Sequence, residues 1–277
     1  MREADGTVIS DAGLHVASGQ RVNADAYDRY LGRWSRLFVP RLLAAAEVRA
    51  GERVLDVATG TGEAALLTVP EVGRTGMVVG TEISTAMLEA ARARLSDSFQ
   101  AVTSDGQLLA FRDASFDAVI CQLGLMFFPE PIRGLAEFRR VLRDEGHAAV
   151  CVISTPDKAP MWSPLADALG RVLPDQQEEF RLGFGLSDGI RLEQMFVAAG
   201  FRDVRVTPET RHGTVASFDE YWAAVEAGTG QMPLAYLTLS EAQRLAVREE
   251  VRTRLLLYVS EGRLEMSVEM LIAVGRA

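Results

Sequence analysis

Val54-Leu55-Asp56-Val57-Ala58-Thr59-Gly60-Thr61-Gly62-Glu63-Ala64-Ala65, VLDVATGTGEAA, is the stretch whose reading decides the fold. A strand-like apolar run enters a glycine turn and leaves into a helix-like segment, Glu63–Val69. Backbone amides at such a turn can cradle part of a ligand. Gly60-x-Gly62-x-x-Ala65 fits the dinucleotide fingerprint, and Glu82 follows twenty residues after Gly62, where a ribose-binding acid is expected. These residues alone read as a nicotinamide or flavin site. Asp56 changes the reading, because it lies inside the strand, four residues before Gly60. A carboxylate there repels a pyrophosphate at close range and attracts a ligand that carries a cation or an amine.

S-adenosylmethionine carries both an α-ammonium and a sulfonium, so Asp56-x-x-x-Gly60-x-Gly62 favours it. Glu82 does not separate the two ligands, since a carboxylate there can accept from the ribose hydroxyls of either. It does argue against a 2′-phosphate. A third position helps more. Asp105, in Thr103-Ser104-Asp105-Gly106-Gln107, can accept a hydrogen bond from the adenine exocyclic amine.

Outward from the turn, strands and helices alternate. Strand-like segments cover Arg53–Ala58, Gly76–Glu82, Phe99–Thr103, Ser115–Gln122 and His147–Ser154. Between them, Ser84 can cap a helix with Leu88, Ala91 and Leu95 on one face. Pro131 opens another with Leu135, Phe138 and Leu142. Short apolar strands alternating with helices predict a mostly parallel sheet covered on both faces. Beyond Ser154 the rhythm breaks. Residues 155–186 are too long for a simple connection and read as an inserted lid. Ser187 is placed to cap a helix that Gly200 ends, Phe201–Glu209 reads as a strand, residues 217–260 as a helical insertion, and Leu264–Val274 as the last strand. At the other end, residues 1–22 read as a loose arm and 23–48 as a helical cap. In that cap Tyr27, Tyr30, Leu31, Trp34 and Phe38 share one helix face, with Pro40 as punctuation. Residues 23–277 are expected to form one domain.

With VLDVATGTGEAA, the segments GTEISTAMLEAAR (80–92), SDGQLLAFRDASFDAVICQLGLMFFPEP (104–131) and GLAEFRRVLRDEGHAAVCVIS (134–154) resemble the class I S-adenosylmethionine-dependent methyltransferases. The resemblance is to their ubiquinone/menaquinone-biosynthesis-like small-molecule group. It runs over residues 24–154 in consistent order and spacing. It implies a Rossmann-like, doubly wound α/β fold with a seven-stranded sheet of order 3-2-1-4-5-7-6. The last strand is antiparallel, and N-terminal helices and an inserted helical lid complete the fold. By position it implies that Ala58, Gly60 and Gly62 offer backbone to the methionine moiety while Asp56 holds the turn or the ammonium. Glu82 would take the ribose, Ile83 and Met87 flank adenine, Ser104, Asp105 and Gly106 meet its edge, and Cys121 or Gln122 face the methionine part and the acceptor. Tyr27 and Tyr30 are expected to cover the cofactor. The family usually has Gly-Gly where this chain has Glu145-Gly146.

The balance of charge is acidic, with a net charge of −9. That disfavours nucleic acid and anionic membrane surfaces as partners. Cys121 and Cys151 sit in apolar runs and read as reduced core residues, and no zinc spacing or metal cluster stands out, so no metal is expected. The N-terminus lacks the apolar core of a signal peptide, and no apolar run is long enough for a membrane span. The chain is expected to be soluble and cytoplasmic, a monomer or a homodimer. Methyl transfer needs orientation more than a catalytic triad. The only candidate base is His212, and Arg33 is a candidate partner for the ligand carboxylate, with a structural arginine as the alternative. Trp34, Leu125, Met126, Met161 and Trp162 are candidate walls for a hydrophobic small-molecule acceptor. O-methylation is favoured, with C- and N-methylation open, in secondary metabolism or quinone-like biosynthesis. The alternative is a protein of the same fold that binds S-adenosylmethionine and catalyses another reaction, such as a cyclisation. A nicotinamide oxidoreductase is a third reading.

Overall fold

The computed structural model describes residues 31–95, 99–228 and 230–277. Residues 1–30 carry the expected arm, Tyr27 and Tyr30, which therefore lie outside the described residues. The strands are β1 (Arg53–Val57), β2 (Met77–Glu82), β3 (Phe99–Thr103), β4 (Phe116–Gln122), β5 (Leu142–Ile153), β6 (Arg202–Val215), β7 (Val259–Ser260) and β8 (Arg263–Arg276). They form one sheet of order β3-β2-β1-β4-β5-β8-β6, with the two-residue β7 paired to β8. Pairing is parallel from β3 to β5, and β8 runs antiparallel to both β5 and β6. Apart from β7, this is the order the resemblance implies.

The centre of the sheet is apolar on both faces. Val54, Leu55 and Val57 of β1 are buried in succession, as are Val119, Ile120 and Cys121 of β4. A strand covered on both sides reads as a continuous apolar run, which is why these strands are visible in the sequence. β6 differs. It lies at the edge, alternates between exposed and half-buried positions, and runs on to Val215, well past the segment expected for it. Pro208 inside it is tolerated because an edge strand has one side without ladder bonds.

The helices are α1 (Val39–Ala45), α2 (Glu63–Val72), α3 (Thr85–Arg94), α4 (Pro131–Val141), α5 (Ser163–Val172), α6 (Gln177–Arg181), α7 (Gly189–Ala198), α8 (Phe218–Glu226), α9 (Gln231–Leu237) and α10 (Glu241–Leu255). Ser84 caps α3, its hydroxyl accepting from the Met87 N–H at 3.4 Å. The cap of α7 is Asp188 rather than Ser187. Its carboxylate accepts from the Ile190 and Arg191 N–H groups at 2.9 and 3.2 Å. Two adjacent residues could both serve, and the carboxylate reaches the helix N-terminus with more charge. The single helix face expected through Phe38 is also broken. One helical turn, Arg33–Ser35, is followed by turn residues before α1 begins. Pro40 has no N–H for the carbonyl of Arg36, so an α-helix cannot continue through this point unbroken.

The inserted segments pack on one another. Tyr221 of α8 donates its hydroxyl to the Met161 carbonyl at 3.1 Å, and Trp222 stacks on Phe218 and meets Tyr236 edge-on. Among the described residues no helix is long and apolar enough to cross a membrane.

Candidate cofactor and acceptor site

β1, β2 and β4 end side by side, and their carboxyl ends assemble the site at the point where the strand order reverses. Between β1 and α2 the backbone turns through three left-handed residues, Ala58 (φ 56°), Gly60 (φ 56°) and Gly62 (φ 87°). Gly62 is required here twice over. Its φ is left-handed, and a Cβ there would come within 2.7 Å of Leu95 and 3.3 Å of Ala91. At Gly60 a Cβ would meet nothing within 4 Å, so this face of the turn is open to a ligand.

Asp56 is fully buried beneath the turn. Its Oδ2 accepts from the Thr59 hydroxyl at 2.6 Å, while Oδ1 is buried without a hydrogen-bond partner. Burial pushes its pKa up to about 7, against the pull of the Thr59 hydrogen bond and with a further push from the Glu82 charge. Glu82, at the end of β2, accepts from the Gly60 N–H at 3.1 Å and the Ser84 N–H at 2.9 Å. Burial raises its pKa too, opposed by those backbone bonds. Among the described residues these two buried carboxylates, one with an orphaned oxygen, have no cation paired with them. The α-ammonium of S-adenosylmethionine matches that need and a pyrophosphate does not, so the residues present fit the sulfonium cofactor.

The other expected residues sit around this pair. Ile83 follows Glu82 and is 47% exposed, an apolar side chain in the open beside the Glu82 carboxylate. Met87 is half-buried in the first turn of α3. Asp105 is exposed and accepts from the Gln107 N–H at 2.8 Å. Gly106 packs so closely that a Cβ would lie 2.2 Å from the Phe128 ring, and Ser104 shares its hydroxyl with the Leu108 carbonyl. Cys121 is buried, with its thiol pKa pushed up to about 12 by burial and then by the Asp56 charge, so it is no nucleophile. Gln122, the last residue of β4, donates from Nε2 to the Ser35 carbonyl at 3.1 Å, and its Oε1 is buried without a partner.

The candidate acceptor walls are deeply buried. Leu125 and Met126 follow β4, and Met161 and Trp162 begin the inserted segment. Trp34 is 1% exposed and sits against Gly213 of β6, where a Cβ would come within 2.5 Å of its Cζ3. His212 is an exposed residue of the edge strand, with Nδ1 2.8 Å from the Ser267 hydroxyl. Strand alternation aims its ring to the face opposite the one on which Gly213 meets Trp34. It also lies three strands from Gln122, roughly 14 Å at ~4.8 Å per strand. Arg33 pairs with Glu220 at 2.8 Å, the structural alternative for that residue.

Sequence reasoning missed Thr59, Ser35 and a buried ionic cluster. Glu63, in the first turn of α2, receives Arg36 through Nε at 2.9 Å and Nη2 at 2.7 Å, and Arg94 through Nη1 at 2.5 Å. No local spacing marks this cluster, since its members are 27 and 31 residues from Glu63.

A family model described as a methyltransferase domain matches residues 55–150. The Xylella fastidiosa ubiquinone/menaquinone biosynthesis C-methyltransferase UbiE is 34% identical over 192 residues, covering 62% of this chain and 73% of that protein. Two solved structures share the fold. The phosphoethanolamine N-methyltransferase 2 of Haemonchus contortus, in complex with S-adenosylhomocysteine, aligns with a TM-score of 0.57 at 15% identity, over 93% of this chain and 57% of that one. The [4+2]-cyclase SpnF aligns with a TM-score of 0.54 at 18% identity, over 87% and 80%.

Proposed function

Since the chain belongs to the class I S-adenosylmethionine-dependent methyltransferases, in the group of the ubiquinone/menaquinone-biosynthesis enzymes, we propose that it methylates a ring carbon of a hydrophobic, hydroxylated aromatic acceptor of the quinol type. The observation that carries the cofactor half of this reading is Asp56, a buried carboxylate with one oxygen left unpartnered beside an open glycine turn. When bound, S-adenosylmethionine supplies a methyl group activated by its sulfonium. Asp56 holds the ammonium, and Ala58, Gly60 and Gly62 offer backbone to the methionine end. Glu82 takes the ribose hydroxyls. Ile83 and Met87 flank adenine, and Asp105 with Ser104 and Gly106 reads its edge.

The acceptor half rests on the apolar, water-excluding residues beyond β4. Leu125, Met126, Met161 and Trp162 fit a hydrophobic ring better than a charged substrate. Holding such a ring at near-attack distance supplies much of the rate in a displacement of this kind. Carbon is preferred to oxygen because the similar proteins from Xylella fastidiosa and Francisella philomiragia are named C-methyltransferases. The leaning towards an oxygen acceptor has no counterpart in those names. The test is to incubate the protein with methyl-labelled S-adenosylmethionine and a prenylated 1,4-naphthoquinol under reducing conditions and to locate the label by NMR. Label on a ring carbon is expected. Label on oxygen alone, or no transfer by a protein that binds S-adenosylhomocysteine, would overturn the acceptor assignment.

A further inference from the structure

We infer that the Trp34 indole N–H and the Gln122 side-chain carbonyl are two separate specificity contacts for the acceptor, whose ring must then carry oxygen at two positions. This rests on the reading of the acceptor as a hydroxylated aromatic and adds the residues that recognise its oxygens.

Both atoms are buried, and neither has a hydrogen-bond partner among the described residues. Leaving a buried polar group unpaired is costly, so each one favours a ligand that pairs it. The Gln122 amide cannot turn over to satisfy its oxygen, because Nε2 is held by the Ser35 carbonyl at 3.1 Å. The Cys151 thiol beside it gives its hydrogen to Met270 Sδ at 3.4 Å and does not supply the donor.

The sheet register puts both contacts on one face. Gln122 pairs with Cys151, and Cys151 with Ile272. Met266 points to the same face as Ile272 and pairs with Gly213, on which the Trp34 ring lies. Met266 also stands beyond Met270, the partner of the last residue of β5, by roughly 13 Å at ~3.3 Å per residue. The ring therefore leans on a wall that rises past the carboxyl ends of the parallel strands. Its six-membered edge, Cε3, Cζ3 and Cη2, faces Gly213, and Nε1 belongs to the other ring, away from that wall. Ser35 joins the two contacts, since its carbonyl holds Gln122 and Trp34 precedes it in the chain. The indole N–H groups of Trp162 and Trp222 are unpartnered too, but neither residue is tied to β4 in this way.

The two contacts ask for different things. The Gln122 carbonyl only accepts, so it takes the hydrogen of a hydroxyl. The indole N–H only donates, so Trp34 gives to an oxygen, whether hydroxyl, ether or carbonyl. The indole reaches from Ser35 towards β6, three strands from β4, so the two atoms serve opposite sides of a ring and not one oxygen.

The experiment titrates the full chain, saturated with S-adenosylhomocysteine, with 1,4-dihydroxynaphthalene under reducing conditions and with naphthalene, which lacks both oxygens. Trp34→Phe keeps an aromatic ring against Gly213 and removes the N–H. It is expected to weaken the diol roughly tenfold or more and to leave naphthalene within about twofold. Gln122→Leu is expected to do the same, and the two losses should multiply in the double variant. In the unsubstituted protein the diol, and not naphthalene, should move the Trp34 indole N–H resonance downfield, a readout that needs no variant to fold. Equal weakening of both probes by Trp34→Phe would make Trp34 a packing residue and overturn the inference, as would no weakening or an unmoved resonance. Losses that fail to multiply would mean one shared oxygen and would overturn the two-point recognition. Failure of the unsubstituted protein to bind either probe would instead remove the acceptor reading beneath it, and the inference with it.

Discussion

The side-chain amide of Gln122, at the end of β4, donates to the main-chain carbonyl of Ser35 at 3.1 Å. Ser35 is the third of four successive residues that each attach to a different element. Arg33 reaches Glu220 of α8, Trp34 lies on Gly213 of β6, Ser35 receives Gln122 of β4, and Arg36 reaches Glu63 of α2. A stretch of four residues thus spans the region between the glycine turn and the inserted helices.

The Ser35 bond also fixes which way the Gln122 amide faces. Nε2 is committed, so the carbonyl oxygen is the end left buried and unpaired. An acceptor hydroxyl would satisfy it. Gln122→Leu is expected to lower kcat/KM for a hydroxylated acceptor by roughly tenfold or more, as expected for a lost hydrogen bond to a substrate hydroxyl. The Kd of S-adenosylhomocysteine should stay within about twofold. Steady-state kinetics and calorimetry on the same preparation check this, and a parallel loss in both would place Gln122 on the cofactor alone.

Asp56 predicts two opposite pH slopes. Its pKa in the folded protein is about 7, above the ordinary carboxylate value of 3.8, because burial disfavours the charge. Between those values the folded state binds more protons than the unfolded state. The contribution of Asp56 to stability is therefore intact below about 4 and is lost as pH rises to about 7. Binding of an ammonium needs the ionised form, so affinity for S-adenosylhomocysteine should rise across the upper part of the same window. Asp56→Asn should flatten the Asp56 part of the stability slope and weaken binding. Thermal melts and titrations from pH 5 to pH 8 in about half-unit steps test both.

Gly213 faces the ring of Trp34 so closely that any side chain must displace it. Gly213→Val is expected to destabilise by about 1–3 kcal/mol, the usual cost of overpacking. Gly213→Val combined with Trp34→Leu should recover part of that loss, because the two positions share one contact. Denaturant titration of both variants and of Trp34→Leu alone closes the cycle, and strict additivity would show that the ring moves away freely.

The parts of the molecule that were legible in sequence share a physical reason. β1, β2 and β4 are apolar runs that punctuate a repeating pattern, and Asp56, Glu82 and Asp105 each occupy the end or the edge of such a run. Their places at the strand ends could be read from local context. Glu63 could not be singled out, because what makes it unusual is two arginines that arrive from elsewhere in the chain. The extension of β6 past Pro208 was hidden for a related reason. Thr210, His212 and Thr214 are the polar outward positions of an edge strand, and only the facing β8 identifies them as a strand at all.

Trp162 separates packing from recognition at the candidate acceptor wall. It is 2% exposed, and its Nε1 is buried without a partner. Trp162→Ala should cost about 3–5 kcal/mol of stability, as truncations of large buried aromatics do. If the indole is also part of the wall, the acceptor KM rises with it. Trp162→Phe keeps most of the apolar surface and removes the unpaired N–H, whose burial costs about 1–3 kcal/mol. The phenylalanine variant should therefore melt close to the unsubstituted protein and retain its acceptor KM. Should Trp162→Phe keep its stability and yet lose acceptor binding, the indole N–H would be a hydrogen-bond donor to the substrate, and the wall would be polar at that point. Should Trp162→Ala leave both acceptor KM and kcat unchanged, the residue would belong to the core of the insertion and not to the site.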